Sequence, residues 1–379
     1  MAIDDPKYAL LDRGKEVRDP TDPPVVVLTC AEIGGLFRPA PTPARERGVL
    51  LNCVLSEAFL THLEDPKPHG SLVFSPAGNG WPIFWLEDAT FTVRRTRPNE
   101  PAALPDVIVE ATFSGGAESH WPIESHPQAM NVYGPDHERW IEAAEFIGIL
   151  GDRPAPEYPM DLIGCQLTDR FRAAVAAADG HWLKTLGFGA YDRSGKLVDT
   201  RSLLMRVIDE RPSVLGSDRV DFTLTTPGPE YRRPFVSGQP AWRIWYEGPP
   251  STKNLWAPLD SLGRSEWLTL AVQRGWAYGL YHEGSEQGGT YHLDGRYVTD
   301  EAGFYCALGE AVNGPGGYFS GNLDDLHDHL RGGFGARPPF TVVWHDSLIS
   351  WEHLLTPHTD YFVRFVDFLT AQGVSVELE

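Results

Sequence analysis

The side chains whose types and spacing could do chemistry are carboxylates. Asp324, Asp325 and Asp328 fall within the stretch Tyr318-Phe319-Ser320-Gly321-Asn322-Leu323-Asp324-Asp325-Leu326-His327-Asp328-His329-Leu330. Leu323, Leu326 and Leu330 stand at i, i+3 and i+7, which predicts a helix with one buried face. Asn322 precedes that run and is a good N-cap. Asp324 and Asp325 have an ordinary structural role, since acids in a first turn suit the helix dipole. That role suits Asp328 less well. Asp328 lies one turn from Asp324, and like charges at i, i+4 repel by about 0.2–0.5 kcal/mol. Repelling acids without a local Lys or Arg point to a surface that meets a basic partner.

The other reactive residue types form no site. There is no G-x-S-x-G elbow, no phosphate loop and no H-E-x-x-H zinc motif. His327 and His329 are two apart and would leave a helix on opposite sides. Glu352-His353 with His358 has the wrong spacing for a helical metal site. Cys30, Cys53, Cys165 and Cys306 are far apart and form no metal spacing. Cys53 and Cys165 are expected as small apolar residues inside strands, because neither has a basic neighbour to lower its pKa. No catalytic residue, metal or cofactor is expected. An enzyme, if there is one, would have its site between two N-terminal copies described below.

Composition narrows the partners. The chain has 379 residues and a net charge of −20. Two or three domains are expected. The charge argues against direct nucleic-acid binding and against an anionic membrane. It is uneven: residues 291–379 hold 13 Asp and Glu against 4 Arg and no Lys. The final quarter is therefore the most acidic part, which fits an interaction surface there. No apolar run has the length of a membrane span. The start Met1-Ala2-Ile3-Asp4-Asp5 lacks the features of a signal peptide. A cytoplasmic, reduced, soluble protein is expected.

The elements that position the acids come last in the chain. Before them, one order of elements occurs twice. Residues 24–36 read as a strand turning into something short and helical, and 49–55 as a buried strand. Ser56 then caps a helix. The same order returns near residues 144–150 and 161–169, with a constant offset of 112 in the second piece, and Thr168 caps the next helix. Arg38-Pro39-Ala40-Pro41 matches Arg153-Pro154-Ala155-Pro156. This reads as a duplicated α+β unit. In 229–288 aromatics are dense: Ala241-Trp242-Arg243-Ile244-Trp245-Tyr246 alternates like a strand, and Ser265 caps a helix that Gly275 stops. The expected division is 1–116 as copy 1, 130–228 as copy 2, 229–288 as an aromatic-rich connector, and 289–379 as a C-terminal domain. That domain reads as a strand at 291–293 closed by Asp294-Gly295, a helix capped by Thr299, the acidic helix, a buried parallel strand at 340–344, a helix from Ser347, a helix capped by Thr359, and a last strand at 374–378. A small parallel sheet flanked by helices is the solution for that order.

The stretch from Tyr318 to Asp328 resembles the signature of the barstar family: paired aromatics, a glycine, Asn-Leu-Asp, then Leu and Asp. Asp294-Gly295, the strand from Pro339 to Trp344, and Gly373 agree as flanks. The resemblance covers about residues 289–379. It implies an α/β fold, a three-stranded parallel sheet with helices, preceded here by the duplicated α+β region. It also implies a ribonuclease inhibitor, whose carboxylates mimic phosphate in a basic cleft. Tyr318, Asp324 and Asp328 match positions that enter that cleft. The partner-binding residues implied are Tyr318, Phe319, Asn322, Asp324, His327, Asp328, Phe334 and Asp367. His327 stands where the family has an aromatic, Phe368 aligns with its acidic position, and Gly333 and Phe334 replace a tryptophan. The expected function is an intracellular inhibitor or immunity protein against a barnase-like or toxin nuclease. The alternative is a non-inhibitory interaction protein with a repurposed domain.

Overall fold

The computed structural model describes residues 7–12, 25–39, 45–64, 72–76, 84–94, 104–114, 129–134, 138–147, 157–183, 186–202, 204–227, 233–278, 286–355 and 360–379. In chain order the strands and helices begin with β1 (Tyr8–Asp12), β2 (Val25–Cys30), β3 (Glu32–Gly34), β4 (Arg45–Leu55), α1 (Glu57–Glu64), β5 (Leu72–Pro76), β6 (Phe84–Arg94) and β7 (Asp106–Ser114). Next come β8 (Met130–Tyr133), β9 (Arg139–Ile147), β10 (Glu157–Leu167), α2 (Asp169–Ala178), β11 (Leu186–Tyr191), β12 (Leu197–Ser202), β13 (Arg206–Pro212) and β14 (Val220–Pro227). Two helices follow, α3 (Gln239–Tyr246) and α4 (Ser261–Tyr278). The chain ends with β15 (Thr290–Asp294), α5 (Glu301–Asn313), α6 (Leu323–His329), β16 (Phe340–His345), α7 (Ser347–Leu354), α8 (Tyr361–Ala371) and β17 (Val374–Leu378). By contacts, β4 to β9 with α1 make one unit, and the remaining elements make the other.

Local geometry repeats at the offset of 112. Ser56 Oγ accepts the Phe59 N–H at 3.1 Å, and Thr168 Oγ1 accepts that of Phe171 at 3.3 Å. Asn52 and Gly164 occupy matching places in β4 and β10, and both are left-handed, at φ 51° and 67°. That conformation suits Asn and Gly. Each donates its N–H to an aspartate: Asp106 at 3.0 Å and Asp221 at 2.8 Å. Cys53 and Cys165 follow, both fully buried. Burial pushes the Cys53 thiol up to about 12, so it is not a nucleophile at neutral pH. Of the two Arg-Pro-Ala-Pro motifs only Arg38 and Pro39 lie among the described residues.

Strand order repeats as well. One unit is a closed barrel, β4-β7-β6-β5-β8-β9. The other contains an open sheet, β12-β11-β1-β2-β10-β14-β13, with β3 also on β10. The pairing joins strands distant in the chain. β2 of the first hairpin pairs with the long strand β10, and β9 of the second hairpin pairs with the long strand β4. The segment after β2, expected as helical, is the strand β3. It pairs with β10 from Glu32 to Gly34, and two glycines disfavour a helix there.

The connector differs from the sequence expectation. Residues 241–246 belong to a helix, α3, not a strand. Pro240 sits in its first turn, where proline is tolerated, and Ala241, Trp242 and Trp245 are buried. α4 neither begins at Ser265 nor stops at Gly275. Ser265 Oγ bonds the Ser261 carbonyl inside the helix at 3.0 Å. Trp267, Leu270, Ala271 and Arg274 are buried, and that packing outweighs the ~1 kcal/mol helix cost of Gly275. α4 is anchored on both sides. Arg201 on β12 bonds Asp199 at 2.8 Å and pairs with Glu266 of α4, which also accepts Trp242 Nε1 at 2.6 Å. Arg264 reaches Asp300 at 2.9 Å and Thr299 at 2.6 Å. Thr299 is thus not the cap of α5; Asp300 is, accepting the Gly303 N–H at 2.6 Å.

The C-terminal segment is a three-stranded parallel sheet, β15-β16-β17, with the apolar β16 in the middle. This is the barstar-like fold expected of it, and the region before it is separately sheet-rich. Phe304 of α5 stacks on Phe365 of α8 at 3.8 Å and packs against Trp344 of β16. The cap of α8 is Asp360, which accepts the Val363 N–H at 3.0 Å. Thr359 lies outside the described residues. Glu310 on α5 is buried and accepts three donors: the Asn254 N–H at 2.7 Å, Trp256 Nε1 at 3.0 Å and the Gly316 N–H at 2.9 Å. It therefore ties the connector and the loop before Tyr318 to one helix.

Replacing Glu310 by Ala leaves three buried donors unpaired, each worth about 1–3 kcal/mol. Glu310→Ala should lower the chemical-denaturation midpoint by more than Glu310→Gln. Burial raises the Glu310 pKa above the ordinary carboxylate value. Its contribution is therefore fully present below the unfolded-state pKa and is lost as pH rises through the folded one. Glu310→Gln should flatten that part of the stability–pH profile.

Candidate partner-binding surface

α6 forms as its sequence requires. Asn322 Oδ1 accepts the Asp325 N–H at 2.8 Å, and Leu326 and Leu330 are buried. The three aspartates then have different fates. Asp325 turns inward and accepts the Tyr318 hydroxyl at 3.0 Å. Asp324 is exposed. Asp328 is exposed, with a side-chain exposure of 69%, and Arg331 lies 3.5 Å from it. The pair therefore does have a local arginine, contrary to the sequence reading. At such exposure an ion pair contributes little, about 0–1 kcal/mol. It holds Asp328 loosely and a stronger cation can replace it.

The other expected residues divide between support and surface. Phe319 is fully buried and anchors the loop to the core. Tyr318 is 5% exposed. Its ring meets His329 at 5.9 Å and Phe334 at 6.2 Å. Phe334 is half-buried and stacks on His329 at 3.5 Å. His329 Nδ1 bonds the Phe319 carbonyl at 2.8 Å. Asn322 is spent on the cap. Asp367 is exposed on α8. His327 lies edge-on to Phe368 at 6.5 Å, and its Nε2 accepts from Arg331 at 2.7 Å. His327 of α6 and Phe368 of α8 therefore face each other.

Several residues here were not singled out from sequence. Arg331 was visible at i+3 from Asp328. Asn313 was not: its Nδ2 donates to the Tyr318 carbonyl at 2.7 Å and to the Phe334 carbonyl at 2.9 Å, stapling both flanks of α6. Gly335 follows at φ 103°, and a Cβ there would sit 2.2 Å from Asn313 Oδ1. Trp276 of α4 reaches Phe334 at 5.6 Å, a contact between residues far apart in the chain.

The arrangement is suited to binding cations. It presents two exposed carboxylates one turn apart on a capped helix, with the loops on each side fixed. Among the described residues no group of three or more His, Cys, Asp or Glu is placed to hold a metal ion. No helix is long and apolar enough to cross a membrane. Asn313→Ala should cost about 1–3 kcal/mol in denaturant unfolding, because two carbonyls lose their donor.

No curated protein matches the chain. Residues 289–372 match the family model Barstar (barnase inhibitor). The matched residues include β15, β16, α6 and the exposed pair Asp324 and Asp328.

Proposed function

We propose that the protein is an intracellular inhibitor of a basic ribonuclease, of the barnase-like or toxin type, with no direct contact to nucleic acid. The observation that carries this is the exposed pair Asp324 and Asp328 on a helix whose remaining side chains are committed to the fold. An active-site cleft that holds RNA phosphate is lined by cations. A carboxylate presented on a helix whose flanking loops are already fixed makes charge-assisted hydrogen bonds there with little backbone left to order. Asp328 exchanges Arg331 for cleft cations; Asp324 adds to the same field. In this reading 289–379 is the inhibitory module, 229–288 its connector, and 1–116 and 130–228 two sheet-rich copies that present it.

A second reading has its own observation. His327 and Phe368 pack together at two positions where the family pattern has an aromatic and an acid. That contact alters the rim of the surface and fits a different nuclease or a non-inhibitory basic partner.

Calorimetric titration of the full chain with an inactive barnase-type ribonuclease separates the readings. Inhibition requires one-to-one binding that weakens as salt rises, since long-range charge steers the encounter. Asp328→Ala should cost more than about 2 kcal/mol, the range of interface hot spots, and Asp324→Ala less. Unchanged affinity in both variants would rule out the acidic-helix account.

A further inference from the structure

Trp276 occupies the last turn of α4, outside the segment that matches the Barstar family. It is 58% exposed, the most exposed large aromatic among the described residues. Leaving an indole in water forgoes the burial that a side chain of this size can supply. Its position is specific. Trp276 meets Phe334 edge-on at 5.6 Å, and Phe334 stacks on His329 of α6 at 3.5 Å. A row of rings thus runs from the end of α4 to the acidic helix. The continuation of α4 through Gly275 is what delivers Trp276 to that row.

We propose that the surface facing the ribonuclease is composite: the acidic face of α6 together with Trp276, which takes an arginine from the rim of the basic cleft. The proposal rests on the inhibitor reading and extends it to a residue of the connector. Two physical arguments support it. A surface that orients its partner by carboxylates alone gains specificity and speed more than affinity, and hot spots are enriched in tryptophan. A basic rim also carries guanidinium groups, which are attracted to indole faces. The acidic helix and the aromatic row thus ask for the same kind of partner. Trp276 would enlarge the contact beyond what the segment matching the Barstar family presents alone.

The test uses the full-length chain and an inactive barnase-type ribonuclease, at low and at high salt, with wild type, Asp328→Ala, Trp276→Ala, Trp276→Phe and Trp276→Lys. Thermal unfolding is recorded for each. The expected result is a loss of about tenfold or more for Trp276→Ala, mostly in the dissociation rate, with the melting temperature unchanged. Trp276→Phe should recover most of it. Trp276→Lys should lose more than Trp276→Ala, because a basic cleft rejects the added cation, and it stands in if the alanine variant folds poorly. The Asp328→Ala loss should shrink at high salt, and the Trp276→Ala loss should persist. Binding by Trp276→Ala and Trp276→Lys within twofold of wild type, while Asp328→Ala is weakened, would overturn the composite surface and leave the acidic-helix reading standing. Failure of the wild-type chain to bind at low salt would overturn both.

Discussion

One buried carboxylate holds together the parts on which the acidic helix depends. Glu310 projects from α5 and gathers three donors, from Asn254, Trp256 and Gly316. A carboxylate loses much hydration on burial and is tolerated only where donors replace water. Here the donors come from the connector and from the glycine loop ahead of Tyr318. Satisfying Glu310 therefore fixes where that loop begins. Asn313, one turn further along α5, then fixes both the Tyr318 and Phe334 carbonyls. The loop that leads into α6 and the loop that leaves it share one support. The backbone that carries the outward aspartates is held by it, which limits the entropy lost on binding a partner.

The connector is a structural part of the same assembly. α4 is held at Glu266 to Arg201 on β12 and at Arg264 to Asp300 on α5. The Arg201–Glu266 pair is buried and the Arg264–Asp300 pair partly so, and such pairs specify geometry more than they stabilise. Their consequence is positional: the open sheet, α4 and the parallel sheet share one apolar core. The acidic helix is thus carried on a larger body than the segment matching the Barstar family. The sheet-rich part pairs strands that lie far apart in the chain. β2 completes its sheet on β10, and β9 completes the barrel on β4.

The parts legible in the sequence were those set by local rules. Capping by Ser56, Thr168 and Asn322, the leucine face of α6, the parallel order of β15 to β17, and the offset of 112 all follow from spacing and residue type. The parts that were not legible depend on partners distant in the chain. Residues 241–246 alternate like a strand, yet they form α3 because Trp242 and Trp245 are buried on it. Gly275 is a helix breaker in isolation, but packing of Trp267, Leu270 and Ala271 carries α4 past it. The pairing of β2 with β10 and of β9 with β4 leaves no local mark at all. At the candidate surface the helix and its outward acids were readable, whereas the inward turn of Asp325 toward Tyr318 and the arrival of Trp276 were not, since both depend on tertiary contacts. Phe319 looked like a binding residue from its motif, and its burial shows that part of the motif maintains the loop.

Under the proposed function the acidic face of α6 closes a ribonuclease's active site. The most direct measurement is RNA cleavage by an active barnase-type ribonuclease at low salt, titrated with the full-length chain. The account predicts that cleavage falls linearly to zero at one equivalent, and that Asp328→Ala right-shifts the titration. Undiminished cleavage at a large excess of the chain would contradict it.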